Sequence, residues 1–549
     1  MKAREISADT FEQEVILSAE PVLVDFYTTW CAPCRAMAPA LDEAAEALTG
    51  RIKVVKLDIE RNPDLAKIHA VNRVPTLLLF NDGKAAARHV GALPRREILL
   101  NWVEGVNRSA ETVGSGRRAT EFKLSNGMEV VVICDHRAPV VTHMVWYRAG
   151  AADGRAGASG IAHFLEHLMF KSTDKHPDGA FAKTVMQLGG QLNAFTSQDV
   201  TAYHERISKD HLKTMMEMEA DRMVNLRFTD AEVATERLVV LEERRLHYEG
   251  NPRARLTEKM NATLYPSHPY GTPVIGWEHE IETLSRDDAL DFYKRHYAPN
   301  NALLVVLGDV SPDEVRRLAE ETYGRLPANP QVHVRARFSE QTPATPRRVT
   351  LEDSRAGSAS FQRYYSVPSY ATAKPGEAEA LDVLLRIVGD GTTGRLVRSL
   401  VVEDKVAAAA SGNYSGILLD SGTISLHAVA SHGSLDRVEA AVDRVLDEVR
   451  TNGVSEIEIE RAKTSLRADY AFSGDEQEKL AARYGWARSV GRTIDQVETW
   501  PEAIARVTAR DIKAVASAHF DERHSVTGWL LPECGTGSTA QSSAQGQTS

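Results

Sequence analysis

Gly160-Ile161-Ala162-His163-Phe164-Leu165-Glu166-His167-Leu168-Met169-Phe170 is the stretch on which the reading of this chain turns. On a helix, His163 and His167 lie one turn apart on the same face, so both imidazoles can reach one metal ion, and Glu166 stands immediately before the second histidine. Zinc suits two neutral imidazoles plus a carboxylate and leaves a fourth position for water, whose proton a nearby glutamate can take. The order His-x-x-Glu-His reverses the more familiar His-Glu-x-x-His spacing. Taken alone, these residues also fit a helix surface solvated by two histidines and a glutamate, so the matter passes to a third ligand.

Thr229-Asp230 predicts the start of a helix that continues to Arg245. Glu236 and Glu243 on it are seven apart and share a face with Val240 between them, whereas Glu242 points about 100° away. Without the histidines this helix reads as amphipathic with solvated charges. Upstream, Phe122-Lys123-Leu124, the turn Ser125-Asn126-Gly127 and Met128 to Ile133 predict a hairpin, and Val140 to Arg148 a further strand. Downstream the chain repeats itself. Asp288 to Leu307 holds Asp-(x)7-His-Tyr followed by a strand from Ala302, and Asp511 to Leu530 holds Asp-(x)7-His-Phe followed by a strand from Ser525, 223 residues later. Two copies of one α+β unit, joined near residues 343–348, are the expectation. The second copy has no His-x-x-Glu-His.

The 549 residues exceed one ordinary core, and 43% hydrophobic with 26% charged residues is the composition of a globular protein. A net charge of -11, with no concentrated basic patch, argues against nucleic-acid and anionic-membrane partners. No apolar run approaches a signal-peptide core or a membrane span, so the expected compartment is the cytoplasm. Four cysteines are too few for a disulfide framework: Cys31 and Cys34 form a pair, and Cys134 and Cys534 are expected as free thiols.

Val22 to Tyr27 predicts a buried strand that leads through Trp30 into Cys31-Ala32-Pro33-Cys34-Arg35 at a helix start. Free backbone N–H groups there favour the Cys31 thiolate, which attacks disulfides, and Cys34 is placed to resolve the mixed disulfide. Residues 107–118 are polar with Gly and Ser, hence a linker, whose flexible reach is about 20 Å.

Two resemblances follow from these residues. Residues 1 to about 107 resemble a complete thioredoxin, with Trp30 to Cys34 as its dithiol motif, Asp25 as the buried acid, Lys56 as its lysine partner, Pro75 as the cis-proline and Gly91 as the late glycine; Ala32 stands where glycine is usual. That resemblance implies that Cys31 is the nucleophile, Cys34 the resolver, Asp25 the proton acceptor for Cys34, and Pro75 the residue that holds bound substrate extended. Residues 118 to about 532 resemble the pitrilysin or insulinase family of zinc peptidases, in particular the short bacterial members related to the mitochondrial processing peptidase. The resemblance implies one Zn2+ per chain held by His163, His167 and Glu243, with Glu166 as general base and Glu236 in an accessory position. It also implies that Gly190 to Thr196 forms an edge strand that pairs with extended substrate, with Asn193 and Ala194 in contact, and it extends to His268-Pro269-Tyr270-Gly271.

The expected architecture is therefore an α/β thioredoxin fold followed by two homologous α+β pitrilysin-type domains: 1–107, linker 108–118, zinc-binding half 119–340, metal-free half 345–532 and a disordered tail 533–549. The expected activity is hydrolysis of extended peptides or unfolded polypeptides in a closed chamber, alongside dithiol exchange. The alternative is a thiol oxidoreductase whose peptidase-like region only binds peptides or acts as one subunit of a heterodimer. Active relatives take an arginine and a tyrosine from the second half, and the aligned segment Gly422 to Gly433 contains neither. Either the alignment differs or another chain supplies them, and the resemblance implies a homodimer or a heterodimer with a zinc-less family member.

Overall fold

The computed structural model describes residues 3–103 and 118–533, apart from residues 19, 70, 72, 82, 97, 101, 178, 334, 336, 341–344, 432 and 433. The expected linker up to residue 117, Cys534 and the tail from 534 lie outside the described residues. The chain divides into two compact units, one built on residues 1–118 and one on most of the remainder.

In the first unit β1 (Arg4–Glu5), β2 (Val22–Tyr27), β3 (Lys53–Asp58), β4 (Thr76–Asn81) and β5 (Lys84–Val90) form a sheet of order β1-β3-β2-β4-β5. Strand β2 runs parallel to β3 and antiparallel to β4. Its nearly unbroken apolar run is explained by burial on both faces: Leu23 packs into one core, Val24 and Phe26 into the other. Helix α1 (Ala32–Ala47) starts directly after Cys31, and α2 (Pro63–Ile68) follows β3.

The second unit carries two mixed sheets. The first contains β6 (Ala119–Lys123), β7 (Glu129–Cys134), β8 (Val140–Tyr147), β10 (Gln191–Thr196), β11 (Thr201–Ser208) and β13 (Ala302–Gly308); β9 (Ser172–Thr173) and β12 (Leu226–Arg227) pair apart as a short ribbon. The second contains β14 (Arg347–Glu352), β15 (Ser360–Pro368), β16 (Ala407–Ser415), β17 (Ser421–Ala430) and β18 (Ser525–Leu531). Their orders are β10-β11-β8-β13-β7-β6 and β14-β18-β15-β17-β16. Read from the other end, the second is the first with β16, β17, β15, β18 and β14 in place of β10, β11, β8, β13 and β7. The sequence repeat is thus a repeat of strand order, and β13 and β18 are its 223-residue counterparts.

Four helices of the first half matter for the site: α3 (Ile161–Leu168), α4 (Leu212–Asn225), α5 (Asp230–Arg244) and α6 (Pro252–Leu264). Helix α6 does not cover its own sheet. Leu256, Met260 and Leu264 bury against Leu351, Val526 and Leu530 of the second sheet. Conversely, α7 (Gln477–Ser489) of the second half buries Leu480, Ala481, Tyr484 and Ala487 against Val131, Met144, Trp146 and Val305 of the first sheet. The two helices stand at corresponding places in the repeat, so each half lends the same arm to the other. Glycines make room for both arms: a Cβ on Gly528 would lie 2.2 Å from the Met260 sulfur, and one on Gly485 2.0 Å from the Trp146 ring. Each fully buried large side chain of an arm contributes roughly 1.5–3 kcal/mol. Among the described residues no helix is long and apolar enough to cross a membrane.

Candidate metal and dithiol sites

Helix α3 begins at Gly160, whose φ of +79° is left-handed and whose Cβ position lies 2.2 Å from the Ile275 carbonyl oxygen, so only glycine fits. Its apolar residues Ile161, Phe164, Leu165 and Leu168 are buried, which leaves His163 and His167 on the one face that is partly open. Helix α5 is set by a capping box in which Glu232 N–H donates to Thr229 Oγ1 at 3.2 Å and Thr229 N–H to Glu232 Oε2 at 2.7 Å. It packs beside α3 and brings Glu243 to the histidines: its Oε2 lies 3.4 Å from His167 Nε2 and 3.8 Å from His163 Nε2. One ligand atom from each of the three lies within 4.8 Å of the others. This donor set, two imidazole Nε2 atoms and one carboxylate oxygen facing one another, suits zinc.

The surroundings are graded. Burial and the neighbouring His167 push His163 down to about 4, so it is a neutral imidazole at neutral pH. Burial opposes the His167 cation too, but the hydrogen bonds it donates to Glu236 and Glu243 outweigh it and lift this imidazole to about 9. Glu236 accepts from His167 Nδ1 at 2.9 Å and pairs through its other oxygen with Lys171. Those hydrogen bonds hold Glu236 down at about 2, against its burial. Glu236 and Glu243 share a helix face as the spacing requires, yet Glu236 is buried and Glu243 half exposed. The former therefore holds the His167 ring in place, and the latter keeps its carboxylate accessible. Glu166 is 8% exposed, and burial raises its pKa although Thr196 Oγ1–H donates to its Oε2 at 2.6 Å.

Thr196 ends β10, the strand quoted for substrate pairing. This strand is an edge of its sheet. Asn193 is exposed, and its Oδ1 accepts from the Ala194 N–H at 2.9 Å, so the edge is occupied by its own side chain. Phe195 stacks on Trp486 of α7 with centroids 5.3 Å apart, which ties β10 to the second half. Tyr270, from the His268-Pro269-Tyr270-Gly271 stretch, joins the halves as well: its hydroxyl donates to Asp199 Oδ2 at 2.5 Å and accepts from the Asp420 N–H at 3.2 Å. The segment from Gly422 is strand β17, and its last residues 432 and 433 lie outside the described ones. Lys171 and the contact of the Thr196 hydroxyl with Glu166 were not read from the sequence; the spacing of Lys171 four residues after His167 is a signal only for a helix longer than α3, which ends at Leu168.

In the first unit Cys31 and Cys34 are joined by a disulfide, and Cys34 N–H donates to Cys31 Sγ at 3.1 Å. Asp25 and Lys56 are partners in the β2–β3 register. Burial raises Asp25 to about 7 despite Lys56, and its Oδ1 has no hydrogen-bond partner. Pro75 follows a cis peptide bond, its carbonyl accepts from Gly91 N–H at 2.9 Å, and Gly91 has a φ of +115°. Cys134 is a free thiol.

Comparison with known proteins shows the family. Residues 2–104 match the Thioredoxin family, residues 129–277 match "Insulinase (Peptidase family M16)", and residues 283–466 match "Peptidase M16 inactive domain". The last match begins before the sequence repeat does, and takes in β13 of the first sheet. An uncharacterized zinc protease of Mycobacterium tuberculosis is 30% identical over 395 residues, covering 69% of this chain and 86% of that one. "Zinc protease PqqE" of Helicobacter pylori is 26% identical over 411 residues, covering 74% and 92%. The crystal structure of a protease from Helicobacter pylori superposes with a TM-score of 0.71 at 26% identity, over 76% of this chain and all of that one. The chain belongs to peptidase family M16, the insulinase family, and carries a thioredoxin domain ahead of its two M16 domains.

Proposed function

We propose that the chain is a zinc-dependent endopeptidase for extended peptides or unfolded polypeptides, with one Zn2+ held by His163, His167 and Glu243. The observation that carries this reading is the convergence of those three ligand atoms within 4.8 Å beside a buried glutamate held by Thr196. Bound zinc supplies Lewis acidity toward the scissile carbonyl and makes a water in its open position more acidic. Glu166, with its pKa raised by burial, is suited to take a proton from water and return it to the leaving amine. Glu236 fixes the His167 ring through Nδ1 so that Nε2 faces Glu243. The exposed edge of β10 holds the peptide extended once the Asn193 side chain turns off the Ala194 N–H. In the same reading Cys31 attacks disulfides, Cys34 resolves them, and Asp25 accepts the Cys34 proton, so that the thioredoxin domain (1–107, with 108–118 as linker) prepares chains for the peptidase halves (119–340 and 345–532).

Cleavage of a quenched unstructured peptide tests the reading. The zinc-loaded protein should cut it, and Glu166→Gln should keep the metal while kcat falls by a factor of at least about a hundred. No cleavage by a zinc-loaded preparation would count against a self-sufficient enzyme. One observation favours a second reading: Gly422 to Gly433 offers neither an arginine nor a tyrosine to the substrate carbonyl. A homodimer, or a heterodimer with a zinc-less family member that supplies both, would then be the active species. Activity appearing only on mixing with such a partner is its test.

A further inference from the structure

Past Glu243, α5 runs on as the wide turn Arg245–Glu249 and re-enters regular helix at Pro252. Beside the bend lies an open, shallow cavity of about 260 Å³ lined by His247, Tyr248, Asn251, Arg253, Ala254 and Thr257. It adjoins the metal ligands, because His247 stands four residues after Glu243 and its imidazole acts electrostatically on that carboxylate. One lining residue reaches the second half: Thr257 Oγ1–H lies 3.3 Å from Gln362 Oε1, its acceptor, and 3.4 Å from the Tyr364 hydroxyl, both on β15. The Arg253 charge is felt by Tyr364 and by His427 on β17.

The lining contains a guanidinium, an imidazole, a phenol, an amide and a hydroxyl, and no carboxylate. Arg253 is exposed and makes no ion pair among the described residues. Of the acids nearby, Glu258 pairs with Arg244 at 2.8 Å, Asp353 pairs with Arg255 at 2.6 Å and Arg355 at 2.9 Å, and Glu249, four residues before Arg253, acts electrostatically on Arg355. A guanidinium without a counter-charge, in a concave site rich in hydrogen-bond donors, is complementary to a carboxylate.

We propose that this cavity is a specificity subsite for an acidic side chain of the peptide substrate, a few residues from the scissile bond, with Arg253 as the recognising cation. The subsite rests on the peptidase reading for the bond that is cut, but its selectivity is measurable without turnover. The substrates are quenched peptides amidated at the C-terminus and identical except for one position, moved along either side of the bond, that holds Glu, Gln or Lys. At one position kcat/KM should fall from Glu to Gln to Lys, by about three- to tenfold per step at low salt and less at high salt. Arg253→Glu should invert the order, Arg253→Met should flatten it, and Arg253→Lys should keep it in weakened form. Equal cleavage of all peptides, a preference for Lys, an order unchanged in Arg253→Glu, or a preference seen only in peptides with a free terminal carboxylate would overturn the assignment. Binding of the same peptides to zinc-loaded Glu166→Gln, read by fluorescence anisotropy, separates the two readings. Glu-selective binding that Arg253→Glu inverts supports the subsite even if no peptide is cut, in which case the peptidase reading alone fails. Binding without selectivity overturns the subsite whatever the turnover.

Discussion

Thr196 and Asp25 show how single groups set the chemistry. The hydroxyl of Thr196 donates to Glu166 and works against the rise that burial imposes on this carboxyl. Thr196→Val removes that donor, so the Glu166 pKa should climb further. A general base must be ionised, hence the acidic limb of the kcat/KM profile should move up by about one pH unit while the alkaline limb stays, and Thr196→Ser should restore it. Asp25 carries the opposite kind of information. Its carboxyl titrates at about 7 in the fold against 3.8 as a free side chain, because it is buried. The folded form therefore holds the proton more tightly. Stability from this source is complete below about pH 4, declines as the pH rises, and is lost above about pH 7, at most about 4 kcal/mol in all. Chemical denaturation of the full chain, followed through the first unit's transition between pH 4 and pH 8, should show this decline, and Asp25→Asn should abolish it. That His163 and His167 share a face was legible in their spacing of one helical turn, whereas Glu243 was singled out as their neighbour only through the family resemblance. Thr196 was quoted only as part of a strand, because what its hydroxyl touches depends on how β10 packs on α3, which no local pattern encodes.

Among the elements, α3 depends on its first residue more than on its length. Eight residues make a marginal helix, and Gly160 ahead of it holds a left-handed turn against the Ile275 carbonyl. Gly160→Ala combines strain with a clash against backbone, so about 2 kcal/mol or more of stability should be lost and zinc retention against a chelator should weaken in step. Unchanged zinc retention in a folded Gly160→Ala protein would mean that α3 does not need this entry. Helix α5 was legible through Thr229 and its apolar spacing, but its continuation into the wide turn that shapes the Arg253 cavity was not. No proline or glycine marks that change of pitch before Gly250. Strand β10 was legible as an edge only through family resemblance, since alternation in Gln191 to Thr196 does not say which neighbours a strand lacks.

Over the whole peptidase region, the repeat in sequence became a repeat in strand order, and the crossing of α6 and α7 was not legible at all. An amphipathic helix declares that it has an apolar face, and says nothing of which sheet receives it. Gly485→Val would drive α7 off the Trp146 ring. It lies in the metal-free half, yet zinc loss and the fluorescence change of Trp146 and Trp486 on urea unfolding should shift together to lower denaturant, because β10 leans on Trp486. Separate transitions would show that the halves unfold independently. The exchanged arms have one more consequence. A single peptide bond cut between residues 340 and 345 would leave two fragments clasped through both arms, migrating as one particle. Continuity of the chain between the copies is then a matter of assembly, and order in time of synthesis, rather than of holding the finished molecule together.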